Sequence, residues 1–507
     1  MVRMGVGPMR TMLQGLTKKP ARQWGALACA CAFPFADSLV CGEVTLMANK
    51  KKLFGTDGIR GVANAELSPE LAFKLGMALG RLLADGQAHP RFVIGRDTRR
   101  SGTMLQAALT AGIMAAGGDA LTCDIVPTPA VAFLVPELRA AGGVMITASH
   151  NPPEYNGLKV FSREGFKLPD ELEARIEEEL QADPPIAGRP TGAGVGRRHD
   201  VSDAAECYLM HNIALIVLDS AGERPFTGLR VAIDCGHGAS GRMTPEAFER
   251  LGAEVTAINT DYSGDDINVA CGSTHLEPLI ELMRSGDFDL GLAHDGDADR
   301  LLAVDEKGAV LDGDQIMALV ARDLQRSGKL KGAAVAATVM SNLGFVRAME
   351  AAGIAVHRTP VGDRYVLERM RADGLILGGE QSGHIIFLEH NTTGDGLLSA
   401  LMLARIVAKT GRPLSELSAA AMRRYPQSLI NVPITGTATI TGNAVIAKEV
   451  AAVEAKLGDR GRVLLRASGT EPLVRVMAEA ANEEMARAAA DLLALVVEAE
   501  LTSDELT

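Results

Sequence analysis

The sequence predicts an α/β protein in which three similar α/β domains and a smaller C-terminal α+β domain surround a central cleft. Three observations lead there. At 507 residues the chain is too long for one hydrophobic core and asks for roughly three to four domains. Between Phe92 and Phe387 one plan recurs three times: strand, Gly-bearing turn, helix, strand, then strand, polar loop, strand. From Arg423 to Leu501 the pattern changes to short strands, a turn at Arg466 to Glu471 and an Ala/Leu-rich terminal helix from about Asn482.

In the first copy, Phe92 to Gly95 reads as a strand entering Arg96-Asp97-Thr98, followed by a helix near Thr103 to Ala115 and a strand over Ala120 to Ile125. In the second, Arg230 to Ile233 enters Asp234-Cys235-Gly236-His237-Gly238, then a helix near Pro245 to Leu251 and a strand over Glu254 to Asn259. In the third, Ala333 to Ala337 enters Met340-Ser341-Asn342-Leu343-Gly344, then a helix near Phe345 to Ala352 and a strand over Ile354 to Arg358. Such alternation with short Gly-bearing connections predicts mixed α/β layers, and its fixed order predicts duplication. An acidic helix over Pro169 to Gln181, then Asp183-Pro184-Pro185 and a Gly/Arg stretch to Arg198, marks the first linker. The domains are therefore placed at residues 50–190, 205–304, 305–418 and 423–502. Loops leaving the strand ends of such sheets face one side, so three copies packed together would gather their polar loops at one cleft.

A formal charge of −12 argues against a general nucleic-acid or anionic-membrane binder, and an anionic substrate would need a locally basic pocket. The seven cysteines (Cys29, Cys31, Cys41, Cys123, Cys207, Cys235 and Cys271) form no CxxC pair, which reads as reduced thiols and a cytoplasmic location. Residues 1–46 stand apart: five basic residues against Asp37 and Glu43 give them +3 and leave −15 for the remainder. Their apolar run Ala26 to Phe35 imitates a secretory signal, and Leu39-Val40-Cys41 imitates a lipoprotein site in which Val40 is too large. Pro34 interrupts the run, which falls far short of the roughly 20 residues that span a bilayer. The expected reading is an over-long start before Met47, or a disordered leader.

The polar loops carry the chemistry. The first, TASHNPPEYNGLK, runs from Thr147 to Lys159; Pro152-Pro153 and Asn156-Gly157 predict a turn that displays an exposed Ser149 able to take and give a phosphoryl group. The second, AHDGDADRL, alternates Asp295, Asp297 and Asp299 with Gly296 and Ala298, so three carboxylates can converge on one hard cation, and ligation by oxygen alone favours magnesium. A helix–loop–helix calcium site is the competing reading; Glu306 suits its last position, but Arg300 replaces its required glycine and strand-like residues flank the loop. A cation held by the aspartates and a serine phosphate would draw charge from the transferring group, and Arg300 would add a positive donor there. Lys159 and His150 are the local candidates for moving the proton of a sugar hydroxyl. The third loop, GGEQSGHI, offers Glu380, Ser382 and His384 to sugar hydroxyls. Arg466, Ser468, Gly469 and Thr470, with Arg475 nearby, form a turn of donors suited to a dianionic phosphate, the basic pocket the acidic chain requires.

Taken together, residues 50–500 resemble the α-D-phosphohexomutase superfamily. The resemblance rests on Phe54 to Gly61 (FGTDGIRG), Thr147 to Lys159, Asp295 to Arg300, Gly378 to His384 and Arg466 to Pro472 (RASGTEP). Met340 to Gly344, Val361 to Val366 (VGDRYV) and Asn391 to Gly396 (NTTGDG) place the chain nearer the amino-sugar branch than the phosphomannomutases and phosphoglucomutases. The resemblance implies a four-domain phosphohexomutase architecture. It also implies interconversion of glucosamine 6-phosphate and glucosamine 1-phosphate, on the route to UDP-N-acetylglucosamine and cell-wall precursors. By the same resemblance Ser149 carries a phosphate and joins Asp295, Asp297 and Asp299 in holding one Mg2+, and glucosamine 1,6-bisphosphate is the intermediate. Arg60 and Lys159 match residues beside the reacting group, Glu380 and Ser382 sugar contacts, and Arg466, Ser468 and Thr470 the distal phosphate site. Ala298 departs from a position often occupied by glycine. An amino-sugar phosphate is the implied partner, and a homodimer is admitted. Phosphomannomutase or phosphoglucomutase activity, a phosphoserine-type phosphatase and a non-catalytic sugar-phosphate sensor are the alternatives.

Overall fold

The computed structural model describes residues 53–55, 57–181, 189–220, 222–434, 440, 442–468 and 473–502. The leader reading at 1–46, the prolines of the first linker, and Gly469 and Thr470 of the phosphate turn lie outside the described residues.

The first domain holds β1 (Phe54–Gly55), β2 (Gly58–Val62), α1 (Pro69–Leu82), β3 (Arg91–Arg96), α2 (Arg100–Ala115), β4 (Asp119–Ile125), α3 (Thr128–Glu137), β5 (Gly142–Ile146), β6 (Tyr155–Ser162), α4 (Asp170–Gln181) and β7 (Arg198–Asp200). A brace helix, α5 (Ala204–Leu218), leads to the second: β8 (Arg230–Asp234), α6 (Ser240–Arg250), β9 (Glu254–Ile258), α7 (Glu277–Ser285), β10 (Leu290–His294), β11 (Leu301–Val304) and β12 (Val310–Leu311). The third comprises α8 (Gly313–Arg326), β13 (Ala334–Thr338), α9 (Leu343–Ala351), β14 (Ala355–Thr359), α10 (Asp363–Asp373), β15 (Leu377–Gly379), β16 (Ile385–Phe387), α11 (Gly396–Thr410) and α12 (Leu414–Ala421).

The three sheets share one kernel. Its strand orders are β4-β3-β5-β6, β9-β8-β10-β11 and β14-β13-β15-β16, with the first three strands of each parallel and the last antiparallel. The inner parallel strands β3, β5, β8, β10 and β13 are nearly continuous buried runs because helices cover both faces. One buried apolar cluster runs from Val93 of the first domain through Tyr208, Phe248 and Leu292 to Phe345 and Leu401, so the three domains share a core.

The fourth domain has the three-stranded antiparallel sheet β17 (Gln427–Pro433), β19 (Leu473–Ala480), β18 (Gly461–Ala467), backed by α13 (Ala444–Leu457) and α14 (Glu483–Leu501). Asn482 caps the terminal helix by accepting from the Met485 N–H. This domain has its own core, from Val432 to Leu501. It joins the third through a polar seam: buried Glu479 accepts from the Leu343 N–H (2.9 Å), Arg462 donates to Glu479 (2.6 Å) and to the Ser341 carbonyl (2.5 Å), and the Tyr425 N–H donates to Asn342. The Met340-to-Gly344 motif thus serves as the seat of the last domain.

Two local expectations change. The α6 helix begins at Ser240 and contains Pro245, because the Ala239 N–H is pinned to the Gly296 carbonyl (2.8 Å) and starts the helical turn early. Asn156-Gly157 is not a turn but part of β6, where Gly157 pairs with Arg60. A Cβ on Gly157 would stand 2.5 Å from the Thr147 carbonyl and 3.0 Å from Arg60 Cγ, so the glycine is there for close approach. Among the described residues no helix is long and apolar enough to cross a membrane.

Candidate active site

In each kernel the polar loop leaves the carboxyl end of the third parallel strand and returns on the antiparallel one. Ser149 follows β5, the aspartates follow β10, and Glu380 follows β15. Ser149 is not exposed as the sequence suggested. It is 1% exposed, because the aspartate loop covers it and its Oγ donates to Asp295 Oδ2 at 2.7 Å. Its backbone is left-handed, with φ 52°, a conformation few non-glycine residues adopt. The His150 imidazole Nδ1 lies 3.4 Å from the same Oγ.

Asp295, Asp297 and Asp299 offer carboxylate oxygens within 4.8 Å of one another, and all three residues are buried. Among the described residues, neither Asp297 Oδ1 nor Asp299 Oδ1, both buried, has a hydrogen-bond partner. Such orphaned acceptors fit a hard cation, since buried carboxylate oxygens otherwise find donors. Lys159, reaching in from β6, donates to Asp297 (2.7 Å) and Asp299 (2.8 Å), and Thr128 at the start of α3 donates to Asp297. Burial and the neighbouring carboxylates of Asp299 and Asp297 push the Asp295 carboxyl well above its usual range. Burial also opposes the charge on Asp299, but Lys159, His384 and Arg300 outweigh it and hold that carboxyl below its usual range. Burial works against the Lys159 ammonium, yet Asp297 and Asp299 keep it charged well above pH 7. Burial and the positive charges of Arg300 and Arg60 push His150 down to about 4, so its ring is neutral at pH 7.

Arg300 belongs to the same cluster: its N–H donates to Asp295 (3.2 Å) and its carbonyl faces the Nδ1 of His294 (3.1 Å). Arg60 on β2 pairs with Asp57 (3.1 Å). Lys167 joins Asp57 (2.7 Å) to Asp363 (2.6 Å), tying the FGTDGIRG segment to the VGDRYV segment.

The third loop touches the second. The Leu301 N–H donates to the Gly383 carbonyl (3.1 Å), so Glu380, Ser382 and His384 stand beside Arg300. Ser382 is exposed, while burial raises the Glu380 carboxyl. The NTTGDG segment sets this loop: the Gly394 N–H donates to His384 Nε2 (3.1 Å) and the Gly396 N–H to the Ala298 carbonyl (3.1 Å). Asp395 caps α11, accepting from the Leu398 N–H at 2.9 Å, and also accepts from Tyr208 (2.6 Å) and Asn391 (2.9 Å). Arg466 and Arg475 face one another across β18 and β19 in the last domain, and Ser468 closes the start of the turn with its N–H on the Leu473 carbonyl (2.8 Å).

The loops therefore bring Ser149, His150, Lys159, Asp295, Asp297, Asp299 and Arg300 into one buried cluster, with Glu380, Ser382 and His384 along its edge. Sequence reasoning missed Thr128, and it missed Arg99 and Asn268, whose side chains donate to the Ser149 carbonyl at 3.0 and 2.9 Å. For Arg99 a signal existed in the charged run that follows an apolar strand at Arg96; for Thr128 and Asn268 there was none.

Four family models cover the chain: phosphoglucomutase/phosphomannomutase alpha/beta/alpha domain I over residues 51–185, domain II over 208–308, domain III over 312–425 and the C-terminal domain over 429–505. The phosphoglucosamine mutase of Carboxydothermus hydrogenoformans is 49% identical over 447 residues, covering 88% of this chain and 99% of that one. That of Streptomyces griseus is 52% identical over 457 residues, covering 89% and 99%. A crystal structure of a phosphoglucomutase/phosphomannomutase family protein from Burkholderia thailandensis superposes with a TM-score of 0.74 at 25% identity, covering 89% of this chain and 98% of that one. With all four family domains matched in order and relatives at about half identity over nearly nine-tenths of its length, the chain belongs to the phosphoglucomutase/phosphomannomutase family, in the group of the phosphoglucosamine mutases.

Proposed function

We propose that this protein interconverts glucosamine 6-phosphate and glucosamine 1-phosphate through a phosphate carried on Ser149 and a glucosamine 1,6-bisphosphate intermediate. The observation that carries the reading is the hydroxyl of Ser149 lying 2.7 Å from the first of three clustered aspartates. The relatives at about half identity bear the name of that activity.

In the forward half-reaction the bond between phosphorus and Ser149 Oγ breaks as one forms to the free O1 or O6 of the sugar. The sugar hydroxyl gives up one proton and Ser149 Oγ regains one. His150, neutral and 3.4 Å from Oγ, is placed to relay it. Lys159 remains charged and neutralises the crowded phosphoryl and carboxylate oxygens, with Arg300 and Arg60 adding positive charge. Asp295, Asp297 and Asp299, with the serine phosphate, would hold one Mg2+, which when bound supplies electrostatic stabilisation to the transferring group. Glu380, Ser382 and His384 would orient the sugar hydroxyls. Arg466, Ser468, Gly469, Thr470 and Arg475 would grip the phosphate at the other end. Return of the bisphosphate in the opposite orientation lets the same serine take back the other phosphate. A last domain with its own core, seated on one polar seam, suits the opening this exchange needs. Reduced thiols at Cys123, Cys207, Cys235 and Cys271 accord with a cytoplasmic enzyme.

The test is a coupled assay of both glucosamine phosphates against their glucose and mannose counterparts, with and without added 1,6-bisphosphate. Ser149→Ala should abolish turnover, and the intact mass of the active protein should show about 80 Da of phosphate that this variant lacks. Full turnover by Ser149→Ala, or phosphate release without isomerisation, would overturn the reading.

A further inference from the structure

We infer that Arg99 and Asn268 form a clamp spanning two domains that fixes the peptide of Ser149 for phosphoryl transfer, each acting as a positioning residue. The inference rests on Ser149 being the phosphoryl carrier proposed above. Arg99 is fully buried, an uncommon place for a guanidinium, and it uses all five of its N–H protons. Nε donates to Asp97 at 3.0 Å. One terminal nitrogen donates to the Pro152 carbonyl and to that of Tyr155 at 3.0 Å. The other donates to the carbonyls of Ser149 at 3.0 Å and Asn151 at 2.7 Å. Four carbonyls of one loop thus turn inward onto a single rigid fork, a pattern the three protons of a lysine cannot reproduce.

Asp97, at the other end of the fork, accepts from the Arg99 N–H (2.9 Å) and the Thr147 hydroxyl (2.7 Å), and Thr147 Oγ1 accepts from the Ser149 N–H (2.9 Å). Both faces of the Ser149 peptide are therefore held from within its own domain. This compensates the left-handed backbone at Ser149, a conformation that persists only where its surroundings over-determine it.

Asn268 adds what Arg99 cannot supply, which is registration against the second domain. Its side-chain amide donates both protons to the same loop, to the Ser149 carbonyl at 2.9 Å and the Asn151 carbonyl at 3.2 Å. Its own N–H donates to the Gly236 carbonyl (2.9 Å) in the turn after β8, so it moves with the aspartate domain. Gly296 of the aspartate loop packs against the same place: a Cβ there would stand 2.7 Å from the Ser149 carbonyl and 2.9 Å from Asn268 Nδ2. The carbonyls of Ser149 and Asn151 thus each receive a donor from both domains, and the serine hydroxyl is set relative to Asp295 by the peptide behind it. Displacement by about 1 Å at such a point costs on the order of 10²-fold in rate.

The experiment compares wild type, Asn268→Gly and Asn268→Asp in steady-state turnover of glucosamine phosphates, with thermal melting and the 31P signal of the phosphoserine followed in parallel. Glycine removes the donors yet keeps the left-handed φ of 61° without strain; aspartate keeps the shape but turns acceptors toward two carbonyls. We expect kcat to fall about tenfold for Asn268→Gly and about 100-fold for Asn268→Asp, with KM within about threefold of wild type and a shifted 31P signal in both. A residue that only fills space would rank the isosteric aspartate above glycine. That ranking, or kcat within about twofold of wild type for Asn268→Gly, would overturn the clamp, and the glycine variant decides alone if the aspartate variant does not fold. A wild-type protein inactive on every hexosamine phosphate would sink the assigned reaction, and the 31P signal of the phosphoserine, shifted in both variants or unchanged, would then uphold or overturn the clamp by itself.

Discussion

The loop that carries Ser149 and the loop that carries the aspartates occupy equivalent places in two copies of one fold, yet they are held by different means. Each pivots on a non-glycine residue in the left-handed region, Ser149 and Ala298, both with φ 52°. The serine loop is held by side-chain donors, with Arg99 and Asn268 reaching the Ser149 and Asn151 carbonyls through hydrogen bonds of 2.7–3.2 Å. The aspartate loop takes backbone rather than side-chain donors on its carbonyls, from the N–H groups of Ala239, Thr128 and Gly396, and these need close backbone approach. A Cβ on Gly238 would stand 2.4 Å from the Gly296 carbonyl, and one on Gly396 2.5 Å from the Arg300 carbonyl. The difference follows from the chemistry. Asp297 and Asp299 take donors from Lys159 and Thr128 on one oxygen and, among the described residues, keep the other free of hydrogen bonds for a cation, so the course of their loop is set by its backbone. A serine that gains and loses a phosphate cannot be fixed through its side chain, so it is fixed through its peptide.

The largest expected effect breaks the aspartate side at its chemistry and leaves its shape alone. Asp297→Asn keeps the size of the side chain, removes one carboxylate from the cluster and leaves Lys159 paired with Asp299. Turnover should fall about 10³-fold, since electrostatic stabilisation of the transferring group is lost. The melting temperature should hold or rise, because crowded like charges are relieved. Steady-state kinetics and calorimetry check both; a variant that loses stability together with activity would mean the loop is held by its charges after all.

Gly296→Ala attacks the shape. The added methyl would meet Ile267 Cδ1 at 2.7 Å, the Ser149 carbonyl at 2.7 Å and Asn268 Nδ2 at 2.9 Å, so it wedges the two loops apart where their backbones touch. The expected result is a fall in kcat of about 10²-fold with KM nearly unchanged, read by the same assay. A loss smaller than that of Asn268→Gly would mean that donors matter more than backbone approach in holding the two loops in register.

The same division explains what could be read from the sequence. Features written locally were legible: the thrice-repeated strand–turn–helix plan, the alternating aspartates, and the terminal helix from about Asn482, where turn chemistry and periodicity lie within a few residues of one another. The C-terminal α+β domain was legible for the same reason. The burial of Ser149 was not, because it is caused by a loop about 146 positions away in the chain. Arg99 and Asn268 act on Ser149 over separations of 50 and 119 residues. Asn156-Gly157 has the composition of a turn, and only the neighbouring strand shows that its glycine makes room for Arg60. Composition reports the residue a position needs; it reports the neighbour that imposes the need only when that neighbour is close in sequence.

A smaller effect separates the acid sensitivity of the scaffold from that of the two loops. The α3 helix, whose first residue touches Asp297, stacks Phe133 on the His211 ring of α5 at 4.4 Å between centroids. Burial and the nearby His390 push His211 from 6.5 down to about 4. The unfolded chain therefore takes up the proton first, so stability that is complete above pH 6.5 is lost as pH falls from there through about 4. Partial solvent access reduces the loss to about 1–2 kcal/mol. His211→Phe should preserve the stack and narrow the difference in melting temperature between pH 7.5 and pH 5 by about 1–2 °C. An unchanged difference would place the acid sensitivity in the loops.

The finest test returns to the two left-handed pivots. At Ser149 the conformation cannot be relaxed by glycine without removing the hydroxyl, so its cost is borne by the Arg99 and Asp97 network. At Ala298 nothing chemical is lost by relaxing it. Its N–H closes a tight turn onto the Asp295 carbonyl (3.0 Å), its carbonyl receives Gly396, and its methyl is buried without contributing a ligand. A left-handed alanine costs roughly 1 kcal/mol, and glycine returns most of that less the entropy it adds to the unfolded chain. Ala298→Gly should therefore raise stability by about 0.5 kcal/mol in denaturant unfolding, with kcat and KM unchanged within about twofold. If the substitution lowers stability instead, the buried methyl is part of the packing that sets the aspartates, and the shape-held loop depends on one more side chain than its glycines suggest.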